Sequence, residues 1–284
     1  MTTYAGVDMQ AAKQWREQGF VLVREFLPQE QTQLFKEICE HALQQWLQNG
    51  SPDHEGGGNP AWFMRHINQP EFFRDRPEQL TKLLDLAADP RVLEIVRMML
   101  GEEPIFYCTS LWFNPRTGNI DGDWHRDTQF LTKSDEEEQD MLFGRIPTTT
   151  GVQVQIALIA SADVEIVPGS HRRWDTPEEY HVRKADHAAH ARTEQMPGAS
   201  RVALEPGDAV AFNPCIMHRG RYHADKPRRT LMLSYSRASV KPTHNFFTNQ
   251  PWSLEPQYFR GVKPETETFL RRLIDACSPN WSKG

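Results

Sequence analysis

The sequence predicts one mainly β domain wrapped by helices, with a sandwich or barrel at its centre. Three observations carry this. From about residue 104 onward, short β-prone runs recur between Gly, Pro, Asp and Asn turn signals. The hundred residues before them place apolar side chains at helical spacing instead. No internal repeat and no linker-like stretch divides the 284 residues, a length that suits one substantial core.

The elements follow in order. Gly19-Phe20-Val21-Leu22-Val23 is apolar and β-branched and starts after a glycine, so it reads as a strand between helical stretches within residues 8–50. Pro28 suits the first turn of the next helix. Phe35, Ile38, Cys39, Ala42, Leu43 and Trp46 form its inner face, and Asn49-Gly50 stops it. Gly56-Gly57-Gly58 marks a flexible loop over 51–60. Two short helices follow near 77–87 and 90–100, the second ended by Gly101. The β-prone runs are then 104–114, 151–160, 164–167, 200–204, 209–212 and 230–236. Between them, 131–150 and 172–198 are long and polar, which suits functional lids or disorder. Within the first, Asp135-Glu136-Glu137-Glu138 reads as a solvated face. A helix over 264–277 closes the chain, with Phe269, Leu270, Leu273 and Ile274 inward. The expected organisation is a helical part (1–103), a β core (104–240) and a C-terminal extension (241–284).

Composition narrows the function. The chain is 38% apolar and 25% charged, which is ordinary for an enzyme. Its net charge of -6 argues against nucleic acid or an anionic membrane as partner. No apolar run approaches the roughly 18 residues that span a bilayer, and no signal peptide is visible. Cys39, Cys108, Cys215 and Cys277 lie far apart without a CxxC pair, as expected of reduced thiols in a cytoplasm. The expected partner is a small molecule, and monomer and homodimer both stay open.

The chemistry concentrates in three places. Asp123-Trp124-His125-Arg126-Asp127 sets an imidazole and a carboxylate two residues apart, so that in an extended chain both point the same way. Pro206-Gly207-Asp208 launches the apolar run 209–213, and a short connection delivers His218. Arg228-Arg229 then opens a run of alternating character, with Arg229 eleven residues after His218. Two imidazoles and one carboxylate with open cis positions suit non-haem Fe(II). A 2-oxo acid and O2 would take those positions, and an inward arginine would pair with a carboxylate. Gln153 and Gln155 could also face inward. His171 reads as structural, and His223 is a weaker rival to His218. His181, His187 and His190 lie in a charged loop. His244 to Phe247 could cover the mouth.

At this point the chain resembles the phytanoyl-CoA dioxygenase family of Fe(II)/2-oxoglutarate oxygenases. The resemblance covers most of the sequence. It rests on GFVLVREFLPQE, DPRVLEIVRMMLGEEP, WHRD, VPGSH at 167–171, EPGD at 205–208, and the spacing of His218 and Arg229. It implies a double-stranded β-helix, or jelly roll, with outer helices. It also implies His125, Asp127 and His218 as iron ligands, Arg229 as the salt bridge to 2-oxoglutarate, and Gln153 and Trp112 near that co-substrate. Gln155 and Arg126 are the expected substrate-side residues. The chain departs from the family pattern at Arg126, where a small or amide residue is usual, and at Ala162-Asp163-Val164-Glu165. It also departs at Gln155, an aromatic position in some members, and at Trp112, where a hydroxylase relative has a polar contact. The halogenating branch of the family replaces the carboxylate ligand with a small residue, so Asp127 implies hydroxylation or another two-electron oxidation rather than chlorination. No obvious basic track for a nucleotide is present, so a small polar metabolite is expected over a CoA thioester. A metal-binding cupin-type protein without catalysis, or one catalysing hydrolysis or isomerisation, is the alternative.

Overall fold

The computed structural model describes residues 9–49, 58–59, 61–115, 118–148, 151–240 and 250–281. The two long helices that precede the core are α1 (Met9–Gln18) and α2 (Gln29–Gln48), with β1 (Phe20–Val23) between them. Strands β2 (Gly58–Asn59) and β3 (Phe63–Arg65) follow, then helices α3 (Pro77–Ala87) and α4 (Pro90–Leu100). Helix α4 starts on an Asp89 cap and ends on Gly101 at φ +72°, a left-handed stop that glycine adopts without a Cβ clash.

The core strands are β4 (Pro104–Phe113), β5 (Ile120–Asp121), β6 (Val152–Ala157), β7 (Ser161–Ile166), β8 (Ser200–Leu204), β9 (Ala209–Phe212), β10 (His218–Tyr222) and β11 (Arg229–Arg237). Helices α5 (Asp135–Leu142) and α6 (Pro177–Arg183) interrupt them, and α7 (Pro264–Trp281) ends the chain. Two antiparallel sheets form. The larger runs β1-β9-β6-β11-β4-β3-β2, and the smaller runs β5-β10-β7-β8. Two facing antiparallel sheets of this order, coated by helices on one side, are a jelly roll.

The period of two along each strand decides what faces what. On β11, Leu231, Leu233 and Tyr235 join the main hydrophobic core with α2, α3, α4 and α7. Thr230, Met232 and Ser234 take the opposite face, towards the smaller sheet. On β6, Val152, Val154 and Ile156 enter the helix-covered core, so Gln153 and Gln155 face inward. One end of the space between the sheets is filled by Val164, Ile166, Val202, Leu204, Val210 and Phe212. The other end stays open as a cavity. The Pro206-Gly207-Asp208 turn forms as expected. Gly207 has φ +91°, and a Cβ there would sit 2.4 Å from the Leu27 carbonyl oxygen, so only glycine fits.

The expected strands and helices recur closely, with informative exceptions. His218–Tyr222, not among the expected strands, is a strand. The segments 131–148 and 172–198 are built into the fold. Glu138, expected on a solvated face, is fully buried between Arg183 and Lys184. Residues 51–57 and 241–249, including His244 to Phe247, lie outside the described residues.

Candidate active site

The two halves of the metal-ligating set meet across the backbone. His125 and His218 form an isolated antiparallel bridge, with reciprocal N–H to carbonyl distances of 3.1 and 2.9 Å. The Asp127 amide donates to the Pro214 carbonyl at 2.9 Å, which draws the chain after His125 onto the connection before His218. Ser170, in the VPGSH stretch, accepts from the Met217 amide at 2.8 Å and from Arg126 at 2.7 Å through its carbonyl. One residue thus ties both ligand-bearing segments together.

The donor atoms converge. His125 Nε2 and His218 Nε2 lie 3.6 and 3.8 Å from Asp127 Oδ1. Each imidazole places Nδ1 against a backbone carbonyl, that of Asp123 at 2.7 Å and that of Ile216 at 2.9 Å. A carbonyl only accepts, so Nδ1 carries the proton and Nε2 keeps its lone pair for a metal. Gln153 Nε2 donates to Asp127 Oδ2 at 2.7 Å, which leaves Oδ1 facing the two histidines. Such outer partners orient ligands and tune their basicity. Burial pushes the Asp127 carboxyl up, against the fields of His125 and Arg65 and the bond from Gln153. Burial also holds His218 well below the usual imidazole range, the neutral state a ligand needs. The residues therefore fit a divalent iron ion.

These ligands open into a cavity of about 490 Å3 between the sheets. Trp112, Tyr222 and Arg228 line one part of it, and Arg65, Tyr107, Phe130 and Leu131 another. Trp112 stacks on Phe63 at 4.3 Å and lies 5.8 Å from the Tyr222 ring. The Arg228 guanidinium sits over both faces, 5.6 Å from Trp112 and 4.9 Å from Tyr222. Arg228 is 2% exposed, and among the described residues its Nη1 has no hydrogen-bond partner. Trp112 Nε1 and Gln155 Oε1 are likewise buried without one. Buried polar atoms of this kind require a ligand or water. The Arg228 and Trp112 N–H groups, both donors, suit the carboxylate of a bound co-substrate, whereas the Gln155 oxygen can only accept.

Two expectations are corrected. Arg229 does not line the cavity. It shares the outward face of β11 with Leu231 and Leu233, and its guanidinium pairs with Glu40 of α2 at 2.6 and 3.2 Å and with Asn114 at 2.9 Å. The inward position belongs to Arg228, one residue earlier. The alternation of Thr230, Met232 and Ser234 with Leu231, Leu233 and Tyr235 was the signal that could have found it. Arg126 does not line the cavity either. It is fully buried and donates to the Ser170, Cys215 and Arg173 carbonyls and twice to Asp175 Oδ1. Asp175 also accepts from Arg183 at 2.7 Å, and Arg183 reaches Gln129 and Glu138. Gln155 and Trp112 do line the cavity, while His223 does not. Arg65, Tyr107, Phe130 and Tyr222 were missed. Arg65 and Phe130 sit where no local sequence pattern marks them.

The family model described as phytanoyl-CoA dioxygenase (PhyH) matches residues 15–230. The chain belongs to the phytanoyl-CoA dioxygenase family. This family member is a 2-oxoglutarate-dependent oxygenase, with Fe(II) and 2-oxoglutarate as cofactor and co-substrate. Among solved structures, AviO1 from Streptomyces viridochromogenes Tue57 is 18% identical over 85% of this chain and 100% of its own, with a TM-score of 0.59. EctD from S. alaskensis with 2-oxoglutarate and 5-hydroxyectoine is 17% identical over 94% and 89%, at 0.58. The alpha-ketoglutarate-dependent carbocyclase SnoK from nogalamycin biosynthesis is 18% identical over 84% and 87%, at 0.57. At these identities the likeness is one of fold. No curated protein matches the chain. No helix among the described residues is long and apolar enough to cross a membrane.

Proposed function

We propose that this family member hydroxylates an aliphatic C–H bond of a small polar metabolite, with succinate and CO2 as co-products. The observation that carries the reading is a single cavity in which His125, Asp127 and His218 share the walls with the buried guanidinium of Arg228. His125 and His218 would hold iron through Nε2 and Asp127 through Oδ1. Iron so held supplies the coupling of O2 activation to decarboxylation of the 2-oxo acid.

The chain's own residues do the rest. Arg228 would take the far carboxylate of 2-oxoglutarate, with Trp112 and Tyr222 flanking its guanidinium and excluding water. Gln153 fixes the orientation of Asp127. Gln155 offers an unpartnered carbonyl oxygen as an acceptor. Phe130, 67% exposed and 5.4 Å from the His125 ring, gives the mouth an apolar edge that substrate can cover. Arg65 adds a second cation on the wall near Asp127, which favours a polar or anionic substrate. A cavity of about 490 Å3 that must also house the co-substrate favours a small molecule over an acyl-CoA.

The test is a substrate panel with Fe(II), 2-oxoglutarate and 18O2, read by succinate release and product mass. One labelled oxygen in the product supports hydroxylation. Succinate release with an unlabelled, ring-closed or epimerised product replaces it with the kinds of reaction named for SnoK and for the epimerase SnoN. Metal binding without succinate release for any compound would favour the cupin-type alternative.

A further inference from the structure

A second group of metal-ligating side chains lies outside the cavity, on α6 and the segment after it. His181, His190 and Glu194 each bring a donor atom to within 4.8 Å of the others. His190 Nδ1 is 2.8 Å from Glu194 Oε1, and His181 Nε2 is 3.4 Å from Glu194 Oε2. His190 Nε2 reaches Asp186 Oδ2 at 3.1 Å. The two imidazoles stack at 4.2 Å with an interplanar angle of 28°.

The backbone is bent to make this meeting. Asp186, His187 and Ala188 have φ of +51°, +58° and +63°. Three successive left-handed non-glycine residues are sterically costly. The turn they make brings His190 back over His181. One divalent cation can be held between the two imidazoles, with Glu194 completing its donor set. Two imidazole nitrogens and a carboxylate suit Zn2+ and its neighbours, whereas Mg2+ and Ca2+ prefer all-oxygen shells. The partly exposed side chains leave positions for water.

We propose that His181, His190 and Glu194 form a second divalent-metal site of the Zn2+ class, separate from the iron triad and sharing no residue with it. Its place in the fold gives it a structural role. Between two of its ligands, the Ala191 carbonyl accepts from the Trp124 amide at 2.9 Å, and Arg192 grips Asp123 at 2.9 and 3.2 Å. Those two contacts hold the residues just before His125. A cation at the second site clamps the bracket around them.

The test is Zn2+ titration of the chelator-stripped full-length chain by calorimetry, with metal analysis after dialysis. The expected result is two equivalents for the native chain and one for His190→Ala. Glu194→Gln weakens the second equivalent by more than the roughly 10- to 100-fold that a change outside the ligand shell costs. Both substitutions are at the surface, and circular dichroism checks the fold. In Asp127→Ala the remaining equivalent disappears when His190→Ala is added. A single equivalent in the native chain, or two in His190→Ala, overturns the proposal. If Asp127→Ala fails to fold, the two surface variants decide alone.

Discussion

Arg228 and Arg229 are neighbours in the chain, and the structure points them to opposite sides of the sheet. Replacing Arg228 with Gln removes a guanidinium that is 2% exposed and whose Nη1 has no partner among the described residues. A hydrogen bond to a charged group contributes about 1.5–3 kcal/mol, so a forked pair, after losses to ordering, is worth about 3 kcal/mol. That converts to a rise of ~150-fold in the KM for 2-oxoglutarate. Arg228 Nε also lies 3.5 Å from Asp163 Oδ2 and donates to Thr230, so the change leaves Asp163 under-compensated and lowers stability by about 1–3 kcal/mol, read separately in a melting curve. Arg229→Gln spares the cavity. It breaks the half-buried pair with Glu40, lowers stability by about 1 kcal/mol, and leaves the KM for 2-oxoglutarate within about twofold. The assay is succinate formation against 2-oxoglutarate concentration, or binding of 2-oxoglutarate to the Fe(II)-loaded protein without O2. A large KM rise in Arg229→Gln with none in Arg228→Gln would refute the reasoning.

Three further outcomes follow from named contacts. Gln153→Leu frees Asp127 Oδ2 and lowers metal affinity by about 10- to 100-fold, measured by Co2+ titration; unchanged affinity would mean the 2.7 Å bond does not orient the ligand. Arg126→Met leaves five acceptor contacts unmet and Asp175 under-compensated, at a cost of about 3–5 kcal/mol in denaturant unfolding; a loss under 1 kcal/mol would contradict the buried network. Asp208 accepts from Arg24 and from the Glu25 and Glu205 amides, and these bonds outweigh burial to hold its carboxyl below the usual carboxylate range. Its folded pKa is the lower one, so its contribution to stability is full above about pH 4 and fades as pH falls through the folded value. The stability gap between the native chain and Asp208→Asn should therefore narrow on acidification; a gap that is flat from pH 7 to pH 2.5 would contradict it.

What could be read from the sequence was what depends on neighbours in the chain. His125 and Asp127 were legible because a two-residue spacing is a local fact. The strands from 104 to 113 and from 209 to 212 were legible because they are apolar runs closed by turns. His218–Tyr222 was not, since His-Arg-Gly-Arg-Tyr has little β character. Its arginines are matched by acids distant in the chain, Arg219 by Glu165 at 2.6 Å and Arg221 by Asp121 at 2.5 Å. Arg126 could not be understood locally because its acceptors lie 44 to 89 residues away. Glu138 looked solvated because an acidic run does not reveal which member turns inward to Thr128 and Arg183. Arg229 was chosen over Arg228 by spacing, whereas strand parity decides it.

The buried ions joining Arg126, Asp175, Arg183 and Glu138 also bear on how the site exchanges its contents. They brace the segments 131–148 and 172–198 against each other, and of these residues only Leu131 lines the cavity. Swinging either segment away would strand a charge in the interior, at about 3–5 kcal/mol. At equilibrium only about one molecule in 150 to one in 5,000 would then be open along that route. Traffic through it would be throttled by the same factor. Phe130, exposed at the mouth, stands outside that ion network, so residence times in the pocket should follow substitutions there rather than in the charged loops.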